Sequence, residues 1–132
     1  MHSLATLMVA SATLAAAGAS AQPQTVPVID RVSAGYSRVL RHTIVIQVTA
    51  DLPNSCWSNP RLRPNVTGPS PRLGIVGFAV QADVKSGVMC AQAVQTVSLP
   101  RYNWRTYPRG VRSIRVEGSQ KPVTALIRRT AG

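Results

Sequence analysis

The feature that most constrains this chain is its punctuation. Ten prolines and nine glycines cut it into short runs rich in Val, Ile and Thr, and beyond residue 21 no stretch sustains the 3.6-residue apolar period of a helix. Proline fixes φ and removes a backbone donor, so neither a long helix nor a long central strand passes through it. Short strands joined by turns remain, the texture of an all-β sandwich or barrel. Residues 42–50 are the clearest strand. Ile44, Ile46, Val48 and Ala50 share one face, Thr43, Gln47 and Thr49 take the other, and Val45 is the one apolar exception. A first strand is expected over 25–32, with Pro27 suiting an edge, and residues 36–41 extend or precede the second. Residues 59–71 hold four prolines and Gly68 and read as a surface loop. Strand returns over 73–84, with Val76, Phe78, Val80, Ala82 and Val84 inward and with Gly74 and Gly77 marking a bulge or a close backbone. Residues 88–99 alternate again, although Cys90 to Val94 would equally start a short helix. Strands over 111–117 and 122–129 flank Gly118-Ser119-Gln120-Lys121 and make a hairpin.

The N-terminus has a different character. Residues 4–17 are apolar, alanine-rich and uncharged, and they lead to Ala19-Ser20-Ala21, a small-x-small pattern that suits signal-peptidase cleavage before Gln22. The run is short for a bilayer-spanning helix. Only His2 and the α-amino group supply positive charge ahead of it, and no Cys stands at the junction to take a lipid. The expected organisation is a signal peptide over 1–21 and a single β domain over 22–132. Export implies an oxidising compartment, where the only two cysteines, Cys56 and Cys90, read as one disulfide. Such a bridge closes a loop of about 35 residues, worth on the order of 4 kcal/mol by chain entropy. The competing reading, free thiols or metal ligands, lacks partners: structural zinc needs four ligands and the domain has one histidine, His42. No metal and no cofactor is expected.

Fifteen Lys and Arg face four Asp and Glu, a net charge of +11. Thirteen of the fifteen are Arg. A GC-rich genome is the bland source of that bias; the functional one is that guanidinium forks grip phosphate, sulfate or carboxylate two-pronged. Charge of this size favours acidic partners such as lipopolysaccharide, anionic glycans, nucleic acid or anionic lipid.

At Asp51-Leu52-Pro53-Asn54-Ser55-Cys56 a strand runs into Leu-Pro-x-x-Cys. Cys90-Ala91-Gln92-Ala93 and Val97-x-Leu99 follow, and then Gly110-Val111-Arg112-Ser113-Ile114-Arg115-Val116-Glu117-Gly118. Over residues 43–118 this pattern resembles a family of small bacterial exported domains, many of them lipoproteins, whose closing strand reads Gly-x-Tyr-x-Val-x-Val-Asn-Gly. Here the glycines and apolar positions match while Tyr and Asn are replaced. The resemblance implies an immunoglobulin-like antiparallel β-sandwich of about six or seven strands with the two cysteines joined. It carries no catalytic residues. The bridge would then tie the loops at one end of the sandwich rather than pin its centre.

A hydrolase needs a nucleophile, a base and an orienting group, but there is no Gly-x-Ser-x-Gly elbow and His42 abuts a strand-forming run. Asp30, Asp51, Asp83 and Glu117 are scattered, and no phosphate loop exists. The chain is therefore not expected to be an enzyme. One segment has a binding texture: Arg101, Tyr102, Trp104, Arg105, Tyr107 and Arg109 pack three aromatics and three arginines into nine residues, and Arg115 is expected to extend their surface. The alternative is that Trp104 and a Tyr plug the open end of the sandwich while the arginines are merely solvated. The functional expectation is a periplasmic or secreted, non-catalytic accessory domain whose basic face binds an anionic glycan or lipopolysaccharide. A second expectation is an inhibitor of a secreted, acidic hydrolase. The partner is thus an anionic envelope component or a secreted protein; nucleic acid fits the charge but not the compartment.

Overall fold

The computed structural model describes residues 21–65 and 73–129. The expected leader lies outside these residues apart from Ala21. Among the described residues nine strands follow one another: β1 (Ala21–Thr25), β2 (Val28–Tyr36), β3 (Ile44–Leu52), β4 (Trp57–Pro64), β5 (Ile75–Lys85), β6 (Gln95–Ser98), β7 (Tyr102–Trp104), β8 (Ser113–Glu117) and β9 (Val123–Arg128). The all-β expectation holds, and the described residues contain no α-helix.

The sheet is mixed, which corrects the expected antiparallel arrangement. β5 pairs in parallel with β8, and β2 in parallel with β9; the remaining pairings are antiparallel. It consists of two halves joined through β9. In one half β5 lies between β4 on one side and β8 followed by β1 on the other. In the other, β3 lies between β2 and the short pair β7 and β6. β9 pairs with β8 along four residues but meets β2 only where Ala34 and Gly35 face Ile127 and Arg128. The sheet curls at that joint, so the apolar faces of the two halves meet.

The alternation of the sequence decides what lies inside. Ile44, Ile46, Val48 and Ala50 of β3 are buried, as are Phe78, Val80 and Ala82 of β5 and Ile114 and Val116 of β8. Val76 packs half-buried against them. Val45 is also covered, although it points to the opposite face of β3.

Four sequence expectations are corrected. The single first strand is two strands, because Pro27 cannot donate to a ladder and the chain crosses there from β5 to β3. The crossing is held by hydrogen bonds from Val26 N to Val80 O, and from Ser119 N and Gln120 N to the carbonyls of Val26 and Pro27. The proline-rich stretch is not all loop: its first part is β4, an edge strand that accommodates Pro60 at a bulge between Ser58 and Arg61, where Asn59 takes φ 53°. Residues 88–94 form neither strand nor helix, and β6 starts only at Gln95. The aromatic segment is not wholly loop, since Tyr102–Trp104 pair with Ile44–Ile46 as β7.

Cys56 and Cys90 are joined, with their Cα atoms 5.4 Å apart. Cys56 stands immediately before β4, one edge of the sheet, and Cys90 leads towards β6 at the opposite edge. The bridge therefore spans the open seam between the two edges. Ser55 seconds it, its N–H donating to Ala91 O and its Oγ accepting from Ala91 N at 2.7 Å.

Candidate functional site

The nine-residue aromatic and arginine segment divides according to the pleat of β7. Trp104 is 6% exposed and Tyr102 half-buried, both meeting the ring of Phe78 edge-to-face at 5.0 and 5.6 Å. Tyr107 continues the chain to Trp104 and to Tyr36, each at 5.9 Å. Edge-to-face contact suits the ring quadrupoles. The face of Trp104 is thus committed to the core and offers no stacking platform, while Tyr36 and Tyr107 keep part of their surface in solvent.

The arginines go to three places. Arg101 lies opposite Gln47 on the outer face of β3. The Gln47 amide, with its oxygen turned toward the guanidinium, accepts from Arg101 Nε and Nη2 at 3.0 and 3.2 Å. Arg115 lies on the outer face of the other half. It is 42% exposed, and its Nε is 3.5 Å from Glu117 Oε1. Asn65 Nδ2 donates to the other Glu117 oxygen at 2.8 Å. The charge of Arg115 is thus partly offset, and the structure does not unite it with the segment. Glu117 also lines a shallow groove of about 390 Å³ with Arg63, Asn65 and Gln81.

Arg105 and Arg109 go elsewhere, and they are not alone. Past Trp104, residues 105–112 cross from one half of the sheet to the other over the end where β2 and β9 finish and β3, β5 and β8 begin. Arg112 N donates to Gly74 O at 2.8 Å and Ile127 N to Arg112 O at 2.9 Å, which ties the crossing to both flanks. The β2–β3 turn brings Arg38 and Arg41 to this same end. The close of β9 brings Arg128 and Arg129. Among the described residues seven arginines therefore converge from three segments, counting Arg105, Arg109 and Arg112, and every one is exposed.

No acid shares that end among the described residues. Asp30 stands near the start of β2, Asp51 near the close of β3, Asp83 near the close of β5 and Glu117 at the close of β8, in each case the far half of the strand. Three of them are engaged where they stand, Glu117 by Asn65 and Arg115. Arg61 Nη1 donates to Asp83 Oδ1 at 3.0 Å and Asn59 Nδ2 to Asp83 Oδ2 at 3.2 Å, and these bonds hold the Asp83 carboxyl below the ordinary carboxylate range. Asp51 accepts from Thr96 Oγ1 at 2.7 Å. The described ion pairs, Arg61–Asp83 and Arg115–Glu117, also lie away from the arginine end.

Of this cluster the sequence singles out Arg105 and Arg109 by their place in a run of aromatics; the other five stand outside that run. Arg38 and Arg41 sit between two strands and Arg128 and Arg129 close the last, so only strand direction brings them together. His42, exposed at φ 50° in the same turn, is the one imidazole there. Among the described residues no three of His, Cys, Asp and Glu gather to hold a metal, and no helix is long and apolar enough to cross a membrane.

The chain matches no protein-family model, no curated protein and no solved structure.

Proposed function

We propose that this chain is an exported, non-catalytic accessory domain of the bacterial cell envelope that binds an anionic glycan, lipopolysaccharide foremost, through its arginine end. The observation that carries this reading is the convergence of seven exposed arginines at one end with every described acid turned away. Such an end projects a one-signed field that gathers and orients a polyanion. Each guanidinium can clasp a phosphate or carboxylate two-pronged, and Tyr36 and Tyr107 lie among them to meet a sugar ring. Lipopolysaccharide is favoured over nucleic acid because an envelope domain meets it. A disulfide and the absence of a membrane-crossing helix among the described residues are compatible with that compartment. The same reading keeps the chain beside the immunoglobulin-like exported domains that its cysteine motifs resemble. It is supported by two half-sheets facing across one core and by a bridge at the loop end.

The test is a salt series on lipopolysaccharide and heparin. Replacing Arg105, Arg109 and Arg128 with serine is expected to weaken binding and to flatten the log–log salt dependence by about 2–3 units, roughly one per arginine engaged. A double Arg101→Ser, Arg115→Ser variant should keep the wild-type slope. Equal affinity and slope in the triple variant would reject the reading.

A further inference from the structure

An exposed strand edge is a template for a further strand, and proline, charge and bulges are the usual defences against it. Among the described residues β1, β4, β6 and β7 each pair with one neighbour and so present a free edge. Three of these edges are defended. β1 contains Pro23. β4 contains Pro60, Pro64, Arg61, Arg63 and a bulge. β7 is three residues long and stands between Arg101 and Arg105. β6 is short, but it has no proline, no charge and no bulge. It lies within a stretch from Ser86 to Pro100 that holds no charged residue, in a chain that carries fifteen basic ones.

The ladder fixes which backbone groups of β6 are free. Leu99 N donates to Val48 O at 2.9 Å, and the register continues with Val97 opposite Ala50 and Gln95 opposite Leu52. In an antiparallel pair the N–H and C=O of a residue point to the same side, and the side alternates along the strand. Gln95 and Val97 therefore face β3, while Thr96 and Ser98 turn their N–H and C=O groups outward. Both residues are exposed, and among the described residues no strand pairs with that side. Main-chain donors and acceptors at strand spacing are matched by another extended main chain. Charge decides whose. A molecule of net charge +11 repels its copies, so two copies meet only where the surface is neutral and their cationic ends diverge. β6 meets both conditions. It lies beside Thr49 to Leu52, the half of β3 remote from Ile44 and the arginine end. A two-fold axis through β6 thus sends the two arginine ends to opposite extremities and places between them the halves that hold the acids.

We propose that β6 is a self-pairing edge: two copies of this chain join β6 to β6 in antiparallel sense, and the main-chain groups of Thr96 and Ser98 make the bonds. The contact is isologous, so it closes at two copies and does not propagate. A four-residue strand buries little surface, and the dimer is accordingly weak and concentration-dependent. It carries two arginine ends that face opposite ways.

The experiment uses the oxidised protein as purified from the envelope, at high salt so that long-range repulsion is screened. Sedimentation equilibrium from about 10 to 500 µM should show monomer giving way to dimer. Over the same range the amide hydrogens of Thr96 and Ser98 should exchange more slowly, while those of Val97 and Leu99, which face β3, should not change. Ser98→Pro removes only an outward N–H, and Thr96→Lys sets a charge on the edge. Each should raise the dimer Kd at least about tenfold while the near-ultraviolet dichroism of the domain is retained. Met89→Ser, at a fully exposed side chain outside the ladder, should leave the Kd unchanged. A monomer at every concentration overturns the proposal, as does a dimer in which the Thr96 and Ser98 amides still exchange freely. A dimer that Met89→Ser dissociates and Ser98→Pro does not is held by the side chains of residues 88–94, and it overturns the proposal too. Because no glycan enters this assay and the arginine end is untouched, its outcome is separate from that of the lipopolysaccharide titration.

Discussion

Phe78 is the side chain on which both halves of the sheet close. It is 1% exposed and touches Tyr102 and Trp104 across the core. Phe78→Ala should cost about 3–5 kcal/mol through lost transfer energy and a residual cavity, read as a shift of the urea midpoint at constant slope. Gly118 is confined for another reason. A Cβ there would sit 2.7 Å from Pro27 O and 2.8 Å from Val26 O, backbone atoms of the β1–β2 crossing. Gly118→Ala should therefore destabilise by about 1–3 kcal/mol, the cost of overpacking, and a Tm equal to the wild type would show that the crossing gives way freely. Asp83 sets an acid limb. Its folded pKa is depressed by Asn59 and Arg61, so its contribution is present above the ordinary carboxylate pKa and fades as pH falls toward the lowered value. In Asp83→Asn the loss of Tm below about pH 4 should be shallower than in the wild type. The effect is small because the pair is solvent-accessible.

At the level of elements, legibility followed the side-chain period. Ile44, Ile46, Val48 and Ala50 announced β3, and the β8–β9 hairpin was readable from Ile114 and Val116 around a Gly-Ser turn. β4 was hidden because Pro60 and Pro64 read as breakers, and only an edge position with a bulge tolerates them. Residues 88–94 misled in the opposite sense: their apolar character suggested strand, but the bridge pulls Cys90 out of the ladder. The arginine end was half legible, since Arg105 and Arg109 stand beside aromatics that drew attention, whereas the parallel β2–β9 pairing that delivers Arg128 has no local signature. The bridge itself should behave as a seam closure. Cys56→Ala should lower stability by about 2–5 kcal/mol and free β4 and β6 to exchange their amide hydrogens faster, while β2 and β3 stay protected. Intact protein recovered from the native envelope should lack residues 1–21 and weigh about 2 Da less than its reduced form. Retention of the leader or quantitative thiol labelling would contradict this.

The whole molecule is bipolar: a cationic end built from strand termini, an opposite end that holds the acids and a disulfide, and a single curled sheet between them. The sheet depends on β9, which alone among the described strands hydrogen-bonds to strands of both halves. Deleting residues 122–132 should leave two half-sheets that no longer unfold as one, seen as a lowered and broadened urea transition. That dependence also orders events in time. Strands β1 to β8 can pair within their own halves as they arrive, but the hydrogen-bonded joint waits for the latest strand. A chain threaded N-terminus first through a narrow export channel would therefore stay pliable for almost its whole passage, and would lock into shape only on the far side.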